Sequence, residues 1–474
     1  MRIIIGGAGE VGCGLAKSLI SEGKVVVLMD NNPAAVKNAQ MLDALVIHGD
    51  ITHRSKLEDA GIADAEAFVA ATESDEKNLV ACALAKHTRS VLQGGDTNDG
   101  DFLSIARVND QHMIEESKSG YLLEWCGIEH VVSPIEDSVS RLISGLKSTS
   151  FEEVINLGYD AYIVELELNK SATDLVYSTI SDASERIGGL PTIVAIERKG
   201  TGSFVPTPNT ELLPGDLLAI ATIGETTFQR IIRLTGNEEP DFPSKPRVLV
   251  FGANALGIRL AEEYISRGSR VTIIEEELVQ ANKLAGSDLG DNHLLDVIHG
   301  EFRDADLLKE VDAGSHDIAL AALEDDHASI AVALLAIDLG TPRTGLILSS
   351  EHLTSVVKRM GITFAVTRKK VAVDTILSKI HGNLPGPYGI LSSIPEIRGM
   401  SAPLLLGSKY IGLTIEDLGL EGKYSCKIAF IQREVKKKII TLSAQKHKEL
   451  HLNDRLLLFL PQDKVSAVEK ELES

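Results

Sequence analysis

Residues 1–12, MRIIIGGAGEVG, place an apolar run (Ile3 to Ile5) directly ahead of Gly7-Ala8-Gly9-Glu10-Val11-Gly12. The run reads as a strand, the glycines as a tight turn, and the residues from Glu10 as the start of a helix. In the spacing G-x-G-x-x-G, Gly7 permits the turn, Gly9 leaves the backbone open to a pyrophosphate, and Gly12 lets the helix pack closely on the strand. The first amides of such a helix have no partner within it, and with the positive end of the helix dipole they bind anions without any lysine.

The next strand, VVVLM at residues 25–29, ends in Asp30, 23 positions after Gly7. A carboxylate there accepts hydrogen bonds from the adenosine ribose hydroxyls. Asn31-Asn32-Pro33 holds no arginine to receive a 2′-phosphate. The pattern therefore favours NAD(H), or another plain adenine nucleotide, over NADP.

Further on, strands and helices alternate. A helix is expected from Pro33, a strand over Ala44 to His48 followed by Gly49-Asp50, a short helix from His53 to Ala60, and the strand EAFVAA, which gives way to Thr72-Glu73-Ser74-Asp75-Glu76-Lys77-Asn78 and the helix LVACALAKH. FLSIARV, with Arg107 near its end, HVV at 130–132 and a helix from Pro134 to Leu146 complete the set. Alternation of this kind predicts an α/β fold with a doubly wound parallel sheet, in which ligands sit beyond the carboxyl ends of the strands. Gly7 to Gly12, Asp30, Asp50 and Thr72 to Asn78 should then converge on one crevice, with Arg107 placed to grip a phosphate through its guanidinium fork. Plainer roles stay open to the same residues: Asp50, Thr72 and Ser74 can cap helices, and Asp75 and Glu76 suit a first helical turn. RSVLQGGDTNDGD (Arg89 to Asp101) reads as an exposed loop.

Residues 151–236 change character. Runs such as AYIVELEL and TIVAIER alternate at period two, and a turn at Pro214-Gly215-Asp216 precedes LLAIAT. That pattern predicts a small α+β module with antiparallel strands. NEEPDFPSKP (237–246) reads as a linker, and then the chain repeats itself: RVLVFGANALG matches the opening, Gly252 to Glu275 is again 23 positions, VIHGE answers VIHGD, and Asn453-Asp454 stands where Gly215-Asp216 stood. The expected domains are 1–147, 151–236, 247–382 and 383–474, two copies of one two-domain unit. The second copy is chemically poorer. Asn254 replaces the middle glycine between Gly252 and Gly257, Glu275 heads three adjacent acids, and neither Asn78 nor Arg107 has a counterpart. A weaker, altered or purely structural second site is expected there.

A formal net charge of −21 over 474 residues argues against nucleic acid or an anionic lipid surface as a direct partner. Four cysteines (Cys13, Cys82, Cys126, Cys426) show no metal-like or C-x-x-C spacing and suit a reducing compartment. No stretch reaches the ~18 uninterrupted apolar residues of a spanning helix, and the first strand begins too early for a signal peptide. The chain is expected to be soluble and cytoplasmic.

Taken together, the Gly7 to Gly12 turn, Asp30, His48-Gly49-Asp50, Thr72 to Asn78 and Ile105 to Asn109 resemble the TrkA-type, or RCK, nucleotide-binding domain, and the Leu213 to Asp216 module resembles the RCK C-terminal domain. The resemblance implies a cytosolic, non-enzymatic regulatory subunit, peripheral to the membrane through a protein partner. It would form a ring, typically a homotetramer of such double units, beneath a TrkH-like potassium-translocating membrane protein. NAD(H), with ATP or ADP at an overlapping site, would bias the ring between open and closed shapes. Carried over by position, Gly7, Gly9 and Gly12, with Ala8, Glu10 and Val11 between them, would wrap the phosphates, Asp30 the ribose and Asp50 the adenosine end. Thr72, Glu73, Asp75 and Asn78 would meet the far ribose or nicotinamide, and Arg107 a phosphate.

Two alternatives remain open from sequence. An NAD-dependent oxidoreductase would need a proton donor, for which His48 and His53 are the nearest residues, although His48 in its apolar strand reads as a core side chain. A regulatory ring of another potassium channel or transporter could sense a divalent cation through Asp325-Asp326 or Glu275 to Glu277. Lys436-Lys437-Lys438 reads as the exposed turn of a hairpin.

Overall fold

The computed structural model describes residues 2–94, 102–237, 242–383, 386–388, 391, 393–436 and 438–473. The chain forms two compact units, Met1–Thr149 with Pro240–Ile376, and Ser150–Glu239 with Leu377–Ser474. Both repeats contribute to each unit.

The first unit contains two six-stranded sheets. In spatial order the first runs Leu45–His48, Val25–Asp30, Arg2–Gly6, Ala67–Ala70, Leu103–Arg107, His130–Val132, all parallel. The second runs Leu295–His299, Val271–Glu275, Val248–Phe251, Ile318–Ala321, Arg343–Leu348, Phe364–Thr367, again all parallel. Ile3, Ile4 and Ile5 are fully buried, as a central strand covered by helices on both faces must be. The order in which successive strands are added reverses beside the first strand of each sheet, and that switch point is where the glycine turn emerges.

The halves are locked together by the helix that follows each sixth strand. Helix Pro134–Gly145, capped by Ser133 Oγ accepting from the Glu136 amide at 3.2 Å, packs against helix Ala255–Ser266 and strand Phe364–Thr367 of the other half. A Cβ on Gly145 would lie 2.3 Å from the Phe364 ring, so only glycine allows that approach. In return, Val373 of helix Arg368–Asn383 lies against Gly14. Arg141 bonds Asp374 at 2.8 Å, Arg259 bonds Glu136 at 2.9 Å, and Arg343 Nη1 donates to the Leu146 carbonyl at 2.7 Å.

The second unit holds two five-stranded antiparallel sheets with matching strand order. One runs Gly202–Phe204, Thr192–Arg198, Leu217–Ile223, Ala161–Glu167, Phe151–Gly158; the other runs Lys438–Ser443, Lys427–Val435, Arg455–Pro461, Ile397–Pro403, Gly386–Tyr388. Val194, Ala219 and Ile163 share one apolar core with Phe430, Leu457 and Phe459. The repeat extends to a buried ion pair: Arg198 grips Asp216 through two bonds of 2.7 Å, and Arg433 grips Asp454 at 2.7 and 2.6 Å. Gly215 at φ +85° and Asn453 at φ +66° make the left-handed turn before each aspartate, which is why glycine and asparagine exchange there.

Three expectations need correction. Helix Asp75–Leu92 extends through Arg89 to Leu92, so the expected loop starts later, and its residues 95–101 lie outside the described residues. Helices Gln111–Lys118 and Tyr121–Cys126 occupy a stretch to which no element was assigned. His48 is exposed on the outermost strand, its Nε2 3.1 Å from the Asn31 carbonyl, and is no core residue. Lys436, at φ +52°, does sit at the turn between two antiparallel strands, while Lys437 lies outside the described residues.

Candidate functional site

The first glycine turn leaves the end of the central strand between its two neighbours. Gly7 has φ +109°, and a Cβ there would lie 2.9 Å from the Ala71 carbonyl, so both conformation and space require glycine. Gly12 is held for space alone: its Cβ would fall 1.8 Å from the Gly7 carbonyl oxygen. Gly12→Ala should cost about 3 kcal/mol or more, since neither backbone can yield, and urea unfolding would show it. Gly9 is different. Its φ is −73°, which any residue adopts, and a Cβ there would meet nothing within 4 Å. Gly9 thus opens onto free space, and helix Glu10–Ser21 begins with no side chain capping its amides.

Asp30 ties this turn to the second strand. Its carboxylate accepts from the Ala8 amide at 2.6 Å and the Asn32 amide at 2.8 Å, and it lines the same cleft as Gly7, Gly9, Glu10 and Val11. Thr72, Glu73 and Arg107 line it as well. Burial pushes the Arg107 guanidinium pKa down, Asp75 and Glu73 oppose that, and Arg368 adds to it. Arg107 Nε is buried without a hydrogen-bond partner among the described residues. An unpartnered buried N–H of this kind is costly unless a ligand completes it.

Other expected residues stand behind the cleft wall. Asn78 is fully buried and accepts from the Thr72 amide at 3.0 Å and hydroxyl at 2.6 Å while donating to the carbonyls of Thr72 and Arg107. It clamps the ends of two neighbouring strands. Asp75 accepts from the amides of Asn109 and Asp110 at 2.8 and 2.7 Å. Asp50 accepts from Thr52 and from Lys77 Nζ at 2.9 Å, and although burial works against its charge, those bonds hold its carboxyl well below the usual range. Lys77, not Asp50, lines the cleft.

The second turn repeats this scaffold with its anion site closed. Gly252 has φ +96°, a Cβ on Gly257 would fall 1.9 Å from the Gly252 carbonyl oxygen, and Glu275 accepts from the Ala253 amide at 2.6 Å and the Glu277 amide at 2.8 Å. Asn254, however, accepts from the Gly257 amide at 3.0 Å and donates to the Ala322 carbonyl at 2.6 Å. Its side chain takes an amide that a phosphate would need. Asp325 caps the next helix through the His327 amide, and Asp326 accepts from the amides of Ser349 and Ser350. Among the described residues, no group of three or more His, Cys, Asp or Glu is arranged to hold a metal ion.

Between the two turns lies a cleft of about 880 Å³, large enough for a nucleotide. Its far wall comes from the second half: Asn254, Ala255, Leu256, Glu324, Arg368 and Lys369. The last two escaped the sequence reading of the site because they follow Gly9 by some 360 residues and reach the cleft only through the crossing of the helices. The one signal was that the helix after the sixth strand opens with three basic residues in the second copy and with Pro-Ile-Glu in the first.

The model of the TrkA-N domain family matches residues 3–134 and again 248–368. The Trk system potassium uptake protein TrkA of Azorhizobium caulinodans is 24% identical over 99% of this chain and 98% of its own length. The TrkA homolog of Methanothermobacter thermautotrophicus is 33% identical over its whole length, which corresponds to 50% of this chain. Among solved structures, the GsuK RCK domain superimposes with a TM-score of 0.56 at 18% identity, covering 100% of this chain and 95% of that one. The GsuK channel bound to NAD gives a TM-score of 0.57 at 18% identity, covering 100% and 79%. Among the described residues, no helix is long and apolar enough to cross a membrane.

Proposed function

We propose that this chain, which belongs to the TrkA family of Trk-system potassium uptake proteins, is the cytosolic nucleotide-sensing regulatory subunit that gates a TrkH-like membrane partner. In this reading NAD(H), or ATP or ADP at an overlapping site, binds across the first glycine turn, and the chains self-associate as a homotetrameric ring. The observation that carries it is the uncapped helix start at Gly9, open to a cleft beside the Asp30 carboxylate. Free amides would take the phosphates and Asp30 the adenosine ribose. The cleft draws its walls from both halves of the unit, so a bound nucleotide would bias how those halves sit. Sensing needs only such a difference in affinity between two conformations, typically about 1–3 kcal/mol per site. The reading assigns no catalysis to the chain.

Calorimetric titration of the full chain with NADH, NAD+, ATP and ADP tests this reading, with Gly9→Val as the control. A side chain at position 9 has room to fold, so the variant should melt like the parent, yet it fills the space a pyrophosphate needs. Loss of two or more charge-assisted hydrogen bonds should weaken binding at least about a hundredfold. Undiminished affinity in the variant would place the nucleotide elsewhere, and conversion of any nucleotide would reverse the assignment as a non-enzyme.

A further inference from the structure

Two guanidinium groups meet at one end of the cleft. Arg107 arrives from the strand Leu103–Arg107 of the first half, and Arg368 opens helix Arg368–Asn383 of the second. They lie close enough for one charge to act on the other. Beyond a 2.6 Å bond from Arg368 Nη2 to Ser349 Oγ, the described residues give the Arg368 guanidinium no hydrogen bond, and Arg107 Nε is buried without one. Asp75 and Glu73 are the acids acting on Arg107, but two bonds from the Asn109 and Asp110 amides engage the Asp75 carboxylate at the start of its helix. Beside Arg368, the Lys369 stem rests over Gly14, on the helix that starts at the open glycine turn.

The pseudo-symmetric position supplies an internal comparison. Pro134 and Ile135 line the cleft and open the equivalent helix of the first half, which packs against helix Ala255–Ser266 that Asn254 caps. The turn closed by an asparagine thus faces proline and isoleucine, while the turn left open faces arginine and lysine. A dinucleotide lying from Asp30 past Gly9 ends at the Arg107 side in a second ribose and a nicotinamide, which gain little from two cations. A nucleoside triphosphate in the same orientation ends there in a terminal phosphate, which a guanidinium fork binds through paired N–H groups.

Building on the nucleotide reading above, we propose that Arg368, with Lys369 beside it, is a terminal-phosphate subsite lent by the second half to the first glycine turn. It selects nucleotides with a free terminal phosphate over dinucleotides. Calorimetry on the full chain tests this with AMP, ADP, ATP and NADH against wild type, Arg368→Gln, Arg368→Lys and Gly9→Val. Arg368→Gln should weaken ATP about tenfold or more and leave NADH within about twofold, so that the gain from AMP to ATP expected in wild type flattens. Arg368→Lys keeps the charge without the fork, so a smaller loss confined to ATP is expected even if the glutamine variant folds poorly. Equal losses for ATP and NADH, or an unchanged ATP affinity, would overturn the subsite while Gly9→Val still abolished binding. No binding of any nucleotide to wild type would instead overturn the nucleotide reading and this subsite with it.

Discussion

Gly9→Asn should abolish nucleotide binding at the first turn while leaving the protein as stable as before. The second half already contains the outcome: Asn254, at φ −75° where Gly9 has −73°, folds its amide onto the Gly257 N–H and the Ala322 carbonyl. Asparagine and glycine differ at an N-cap by only a few tenths of a kcal/mol, about enough to hold the melting temperature or raise it slightly. Binding is a different matter, because the capping oxygen would occupy the amide a phosphate requires. Titration with NADH and ATP beside a thermal melt checks both arms. A variant that still bound nucleotide would mean that the helix amides are not the phosphate site. The reverse exchange, Asn254→Gly, frees the second set of amides and should permit weak anion binding there.

Asp374→Asn should destabilise the union of the two halves of the first unit by about 2 kcal/mol, between the values for an exposed and a fully buried ion pair, because its carboxylate is partly buried. Asp374 receives Arg141 at 2.8 Å from the opposite half and Lys370 at 2.7 Å from its own helix. Without the carboxylate the pairing that joins Arg141 to the helix of the opposite half is lost. Burial opposes the charge on Asp374, yet Lys370 and Arg141 hold its carboxyl below the usual range. Its folded pKa therefore lies below the unfolded value of about 3.9. The contribution is complete above about pH 5 and disappears as pH falls through the folded value. Urea midpoints of wild type and variant should differ by a constant amount from pH 8 to 5 and converge below pH 4.

Local signals carried the sequence reading far. Gly7, Gly12 and Asp30 were legible because a turn, a helix–strand approach and a strand end each impose a requirement within a few residues or at a fixed interval. The repeat was legible down to Gly215 and Asn453, since few residues tolerate a left-handed turn. Duties were harder to read than identities. Asp50, Asp75 and Asn78 stand beside the cleft, but what they bond is the protein's own backbone and side chains, Lys77, Thr52, Thr72 and Asn109 among them, a choice set by side-chain direction that spacing does not encode. Arg368 and Lys369 were beyond reach for another reason: their place depends on a helix crossing from one half to the other. His48 was misplaced because an apolar strand looks the same in sequence whether it lies at the centre of a sheet or at its edge.

The crossing of helix Pro134–Gly145 onto the second half has a consequence for dilution. Because both partners of that contact belong to one polypeptide, their meeting is intramolecular, at an effective concentration that tethering typically sets in the millimolar range. The cleft should therefore assemble equally well at nanomolar and micromolar protein. Whatever depends on concentration in this system must arise between chains, and the two turns within one chain are free to evolve apart without ever losing each other.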